Sequence, residues 1–133
     1  MIIVGERINS TRKPIDLAMS GRDAEFLVAE AKRQWAAGSH YLDVNTATMM
    51  DGEPECMTWA VTLIQAAIPE AVLSIDSPNP KALEAGLRAH RGRPLLNSIT
   101  GESERIEAVL PLIREFRPRV IGLTMDDGGL HRD

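Results

Sequence analysis

Asp43, Asn45, Asp76 and Asn97 are the residues whose types and spacing suggest shared chemistry. Each closes a short apolar run: "YLDVN" at 41–45, "LSIDSPNP" at 73–80 and "PLLN" at 94–97. Glu6, Arg7 and Asn9 follow a first such run, "IIV" at 2–4. Thr124, Asp126 and Asp127 end a fifth, "VIGLTM" at 120–125. Carboxylates accept hydrogen bonds, and Asn side chains both donate and accept. Together they match a flat heterocycle with adjacent N–H donors and a carbonyl. A carboxylate held at a strand end can read a 2-aminopyrimidinone edge through two parallel hydrogen bonds. The plainer role for such an acid is to cap the next helix or to solvate a loop. For Asp76 that role is already filled, because Asn79 is a good N-cap and Pro80 is pre-organised for the first helical position.

Other chemistries find little support. No Cys or Ser is paired with a His, and neither GxGxxG nor GxxxxGK[ST] occurs. Asp126-Asp127 reads as a polar turn rather than a metal pair, and no metal site is expected. His40, His90 and His131 are scattered and read as surface or helix-end residues. "HRD" at 131–133 lacks the surroundings of a kinase motif. Trp35 and Trp59 read as helix packing. The single cysteine, Cys56, also reads as packing; alone it excludes an internal disulfide framework and a zinc ribbon. The net charge of −4, with no basic stripe, argues against nucleic acid. No apolar run approaches the roughly 18 residues of a membrane span, and the start does not resemble a signal peptide. A cytoplasmic protein is the default expectation.

The elements that must position these residues follow from periodicity. Strands are predicted at 2–4, 41–44, 72–75, 94–97 and 120–125. Between the first two lies "GERINSTRKP", read as a long polar loop, and then a helix over 24–37 capped by Asp23 and closed by Gly38. Pro54 opens a second helix with Met57, Val61, Ile64 and Ile68 on its buried stripe. Leu83 and Leu87 face inward from a third. Ile106, Val109, Leu110 and Ile113 mark a fourth, which Pro111 should kink or divide. The β-α-β-α-β-α-β-α-β order argues a parallel sheet. It fits either an open five-stranded doubly wound sheet or part of a (β/α)8 barrel, and length alone favours the open sheet.

"VGERIN" at 4–9, "YLDVN" at 41–45, "LSIDSPNPKALEAGL" at 73–87, "LLNSITGE" at 95–102 and "IGLTMDD" at 121–127 resemble the pterin-binding methyltransferases. The nearest group is the methyltetrahydrofolate:corrinoid protein methyltransferases. The resemblance covers essentially all 133 residues in order and spacing. It implies a (β/α)8 barrel, of which residues 1–133 form an incomplete pterin-binding domain with barrel strands one to five and four helices. It implies pterin-ring contacts from Asp76 and Asn97, with Asp43 and Asn45 on the second strand and Asn9 and Glu6 on the first as further pocket residues. The implied reaction moves a methyl group between N5 of methyltetrahydrofolate and the cobalt of a corrinoid carried by a partner protein. The family's later strands supply the Asn that engages N5, so no catalytic residue is assigned here. Two alternatives stand beside this reading: a dihydropteroate synthase-like pterin enzyme, and a non-catalytic pterin-binding or assembly fragment. A barrel lacking its later strands exposes sheet edges, so a homo-oligomer or a truncated product is expected.

Overall fold

The computed structural model describes residues 1–130. In order, the elements are β1 (Val4–Asn9), α1 (Lys13–Ser20), α2 (Ala24–Ala36), β2 (Tyr41–Asn45), a 3-10 turn (Ala47–Gly52), α3 (Glu53–Ala67) and β3 (Leu73–Asp76). Then come α4 (Pro80–Ala89), β4 (Leu95–Gly101), α5 (Ser103–Phe116), β5 (Arg119–Asp126) and β6 (Gly129–Leu130). His131 and the "HRD" triplet lie outside the described residues.

Strand order in the sheet is β1-β2-β3-β4-β5-β6, the first five parallel and β6 antiparallel to β5. This order decides between the two predicted architectures. A doubly wound sheet must reverse direction at a switch point, which breaks sequential order. Here every strand lies beside its predecessor. Right-handed crossovers taken always in the same direction put all the helices on one face. The sheet curls into a half-barrel, so the open five-stranded sheet favoured by length is overturned.

Alternation along the strands separates two environments. Leu42, Val44, Leu73, Ile75 and Leu96 face the helices and pack with Leu27, Ala31, Met57, Val61, Ile64, Leu83 and Val109. Burying each large aliphatic side chain contributes about 1.5–3 kcal/mol, so this layer holds the strands in place. Asp43, Asn45, Ser74, Asp76 and Asn97 occupy the alternate positions on the concave face.

The helices start and stop where local chemistry directs. Asp23 accepts a hydrogen bond from the Phe26 N–H at 3.0 Å and caps α2. Gly38 follows that helix with φ +97°, the left-handed conformation a glycine tolerates. Asn79 accepts from the Lys81 N–H at 3.0 Å, with Pro80 opening α4.

Two predictions fail locally. β1 begins at Val4 rather than Ile2, so "GERIN" is strand, not loop. The supposed loop also contains the start of α1: Pro14 stands in its first turn, and Ile15, Ala18 and Met19 are buried. Thus five α-helices and six strands are present among the described residues, where four and five were predicted. Pro111, expected to kink or divide its helix, does not divide α5. Pro111 and Glu107 are both exposed, so water can serve the carbonyl deprived of its helical partner.

Candidate functional site

The sheet register assembles the predicted residues into a row. Asn9 pairs with Asn45, Asn45 with Asp76, and Asp76 with Asn97. Partners across parallel strands point to the same face, so four polar side chains from four strands meet at one level of the concave surface. Asp43 lies two residues below Asn45, paired with Ser74. The fifth strand adds Ile121 to the row, not a polar residue. Thr124, Asp126 and Asp127 lie further along. Asp127 accepts from the Ser103 N–H at 3.0 Å and from its hydroxyl at 2.6 Å, serving the start of α5. Asp126 accepts from the Gly128 N–H at 2.8 Å within the β5–β6 turn, as a polar turn requires. Glu6 sits in the irregular stretch of β1 between Gly5 and Ile8, exposed and off the row.

Hydrogen bonds orient the row. Asn45 Nδ2 donates to Asp76 Oδ2 at 3.0 Å, while Asn45 Oδ1 accepts from the Ala47 N–H at 3.0 Å. Both ends of that amide are therefore fixed. Asn97 Nδ2 donates to Asp43 Oδ1 at 3.1 Å, and Ser74 Oγ donates to the same oxygen at 2.6 Å. The Asn97 amide is thus turned so that its nitrogen faces Asp43. Asn9 is spent more locally: its Oδ1 accepts from the Thr11 N–H at 2.9 Å and the Thr11 hydroxyl at 2.7 Å.

Asp43 differs from its neighbours in burial, being only 1% exposed. Burial raises its pKa, and the charge of Asp76 raises it further, to about 7, despite the bonds from Ser74 and Asn97. The proximity of the two carboxylates thus favours the protonated form of Asp43. Asp43 is therefore placed behind Asp76 and Asn97, where it can set their orientation.

The loop after β3 is held from two sides. Buried Glu53, at the start of α3, accepts from the Ser77 hydroxyl and from Thr46 Oγ1, the latter at 3.3 Å. From the other side the Arg105 guanidinium donates to backbone oxygens of Ser77, Pro78 and Ser98. Ser77, Pro78, Ser98 and Arg105, together with Asp76, Asn97 and Thr100, line a hollow of about 340 Å³, within the range of small-molecule clefts. A larger apolar hollow of about 610 Å³ lies along the exposed side of α3 by Trp59 and Leu63, away from the row.

Sequence reasoning missed Ser74, Glu53 and Arg105. Ser74 had a signal: "LSID" places polar residues at 74 and 76, the same alternation as Asp43 and Asn45. Glu53 and Arg105 had none, because a Glu or an Arg in the first turn of a helix usually faces solvent. Cys56 is buried in the core, as predicted, and burial pushes its thiol pKa up. His90 ends α4 as predicted, but is buried, its Nε2 accepting from Gln65 Nε2 at 3.2 Å and from the Leu73 N–H at 3.0 Å. Among the described residues no cluster of His, Cys, Asp and Glu could hold a metal ion, and no helix is long and apolar enough to cross a membrane.

A parallel strand–helix half-barrel with a row of carboxylates and amides at the C-terminal ends of its strands defines a ligand-binding barrel domain. The chain belongs to the pterin binding enzyme family, whose model matches residues 5–131. It is 33% identical over 132 residues to the methylcorrinoid:tetrahydrofolate methyltransferase of Eubacterium limosum, an alignment covering 98% of this chain and 48% of that protein. It is 29% identical over 139 residues to a methionine synthase of Mycobacterium tuberculosis, covering 99% of this chain and 12% of that enzyme. A methionine synthase of Mycobacterium leprae is 28% identical over a similar span, 11% of its length. The chain thus spans about half the length of the first relative and about a tenth of the other two.

Proposed function

We propose that this chain holds the pterin ring of methyltetrahydrofolate for methyl exchange between its N5 and the cobalt of a corrinoid protein. The observation that carries the reading is the row Asn45–Asp76–Asn97 on the concave face, with buried Asp43 behind it. Asp76 presents a carboxylate to the N–H donors of the aminopyrimidinone edge. Asn97, turned by Asp43, presents its amide to the same ring. Asn45 and Asp43 hold these groups, so the ring meets donors and acceptors already aimed. Glu6 and Asn9 would sit at the margin of the pocket. These side chains suit the pterin; the corrinoid, carried by a partner protein, supplies the cobalt that exchanges the methyl group. The names of the relatives support both halves of the reading, folate from one side and corrinoid from the other.

Calorimetric titration with methyltetrahydrofolate tests the binding half. Saturable heat with one site per chain is expected; no heat at millimolar ligand rejects it. Following cob(I)alamin absorbance after mixing with the loaded chain tests the transfer half. Binding without a spectral change reduces the chain to a pterin-holding module.

A further inference from the structure

We propose that Arg105 is a positioning residue of the pterin site, one that fixes the separation of Asp76 from Asn97. The proposal rests on the pterin reading above, and its test separates the two.

Arg105 lies in the first turns of α5 and is half-buried. Nε and Nη2 donate to the Ser98 carbonyl at 3.1 and 2.9 Å. Nη2 also donates to the Ser77 carbonyl at 3.0 Å, and Nη1 to the Pro78 carbonyl at 3.2 Å. Ser77 and Pro78 directly follow Asp76, and Ser98 directly follows Asn97. One rigid fork therefore spans the two backbone segments that carry the ring-facing side chains. All three guanidinium nitrogens are engaged by backbone oxygens.

This bonding pattern needs arginine. Its planar fork reaches three carbonyls at once, whereas a lysine offers one nitrogen on a flexible stem. The charge has a use as well. No ion pair to Arg105 occurs among the described residues. Burial lowers the pKa of Arg105, while the nearby carboxylates of Asp76 and Glu102 raise it. A cation with no bonded carboxylate thus lies against the rim of an acidic row. Arg105 also lines the same hollow as Asp76 and Asn97. Ser77 is tied from the opposite side by Glu53, so the loop is fixed between α3 and α5.

Measuring methyltetrahydrofolate affinity for the full chain and its R105A, R105K, D76N and R105A/D76N forms, well below their melting temperatures, tests the proposal. R105A should weaken binding about tenfold, and R105K should recover less than half of that loss on a logarithmic scale. Because Arg105 acts through Asp76, its removal in the D76N background should cost less than about twofold. Wild-type affinity in R105A overturns the proposal. So does an equal loss in both backgrounds, the signature of a merely structural role. R105K carries the same comparison if the alanine form does not fold. Amide hydrogen exchange judges the clamp without ligand: in R105A the Asn79 and Asn97 amides should exchange about tenfold faster, with Val44 unchanged. Unchanged exchange at both rejects the clamp. A wild-type chain that binds no methyltetrahydrofolate rejects the pterin reading, while the exchange result still decides the role of Arg105.

Discussion

Asp43 is a carboxylate enclosed by protein, with Ser74, Asn97 and Asp76 as its neighbours. Burial and the Asp76 charge lift its pKa from 3.8 to about 7. The folded chain therefore keeps a proton that the unfolded chain releases above 3.8. By linkage, the Asp43 contribution to stability is fully present below that pH and is lost as pH rises through about 7. His90 works in the opposite sense, since burial lowers its pKa below 6.5. Comparing wild type with D43N cancels the histidine. The variant should gain stability relative to wild type as pH is raised from 4 to 8, in urea melts taken at each pH; a constant difference rejects the assignment. Asp76 should behave differently. D76N should weaken methyltetrahydrofolate binding about tenfold or more with little change in melting temperature, and unchanged affinity would remove Asp76 from the site. At this scale the sequence carried most of the candidate row. Strand-end acids and amides were visible because period-2 alternation and a spare cap at Asn79 left Asp76 without a structural task. Burial was not visible, so Asp43 could not be told from Asp76. Nor was the Arg105 fork, whose partners are backbone oxygens that leave no trace in side-chain type.

The elements place those residues by close packing. Gly86 on α4 is buried, and a Cβ there would meet Ile75 Cγ2 at 2.6 Å and Met57 Cγ at 2.9 Å. Helix α4 therefore rests directly on β3 and α3. Ile75 adjoins Asp76 in the strand, so the packing distance also sets the height of the row. G86A overfills this contact and should cost about 1–3 kcal/mol in urea denaturation. The same variant should reduce methyltetrahydrofolate affinity, because β3 must shift to admit the methyl group. A fully stable G86A would show that the helix can lift without cost. Legibility at this scale followed the strength of the signal. α2, α3 and α4 were readable from caps, first-turn prolines and buried stripes at helical spacing. α1 was not, since its eight residues carry only three buried positions behind a charged start. β1 was displaced because "IIV" is apolar, yet Ile2 and Ile3 are exposed and the paired positions begin at Val4. Pairing with β2, not local hydrophobicity, decides where that strand lies.

The whole molecule is a curved wall with two lateral edges. Among the described residues β1 pairs only with β2, and the side of β5 away from β4 is bordered only by the two-residue strand β6. An unpaired strand edge is a template for another chain. β1 blunts its edge in part, with a register irregularity and with Glu6 and Arg7 exposed. Beside it, however, Gln34 Nε2 is buried with no hydrogen-bond partner, although Gln34 Oε1 accepts from the Arg7 N–H at 3.2 Å. A buried amide nitrogen left unsatisfied costs about 1–3 kcal/mol, a penalty that a further segment offering a carbonyl would relieve. At the other side Leu123 and Leu130 are 46% and 71% exposed, an apolar margin that water does not favour. Both edges therefore gain from being covered, and in a solution of this chain alone the available cover is a second copy. Sedimentation velocity should show a mass that rises with concentration, and replacing Leu123 and Leu130 with lysine should shift the distribution toward monomer. A single monomeric species at the highest concentration, with a sharp cooperative melt, would mean that the half-barrel is self-sufficient and that its edges are already protected by the bulge and charges of β1.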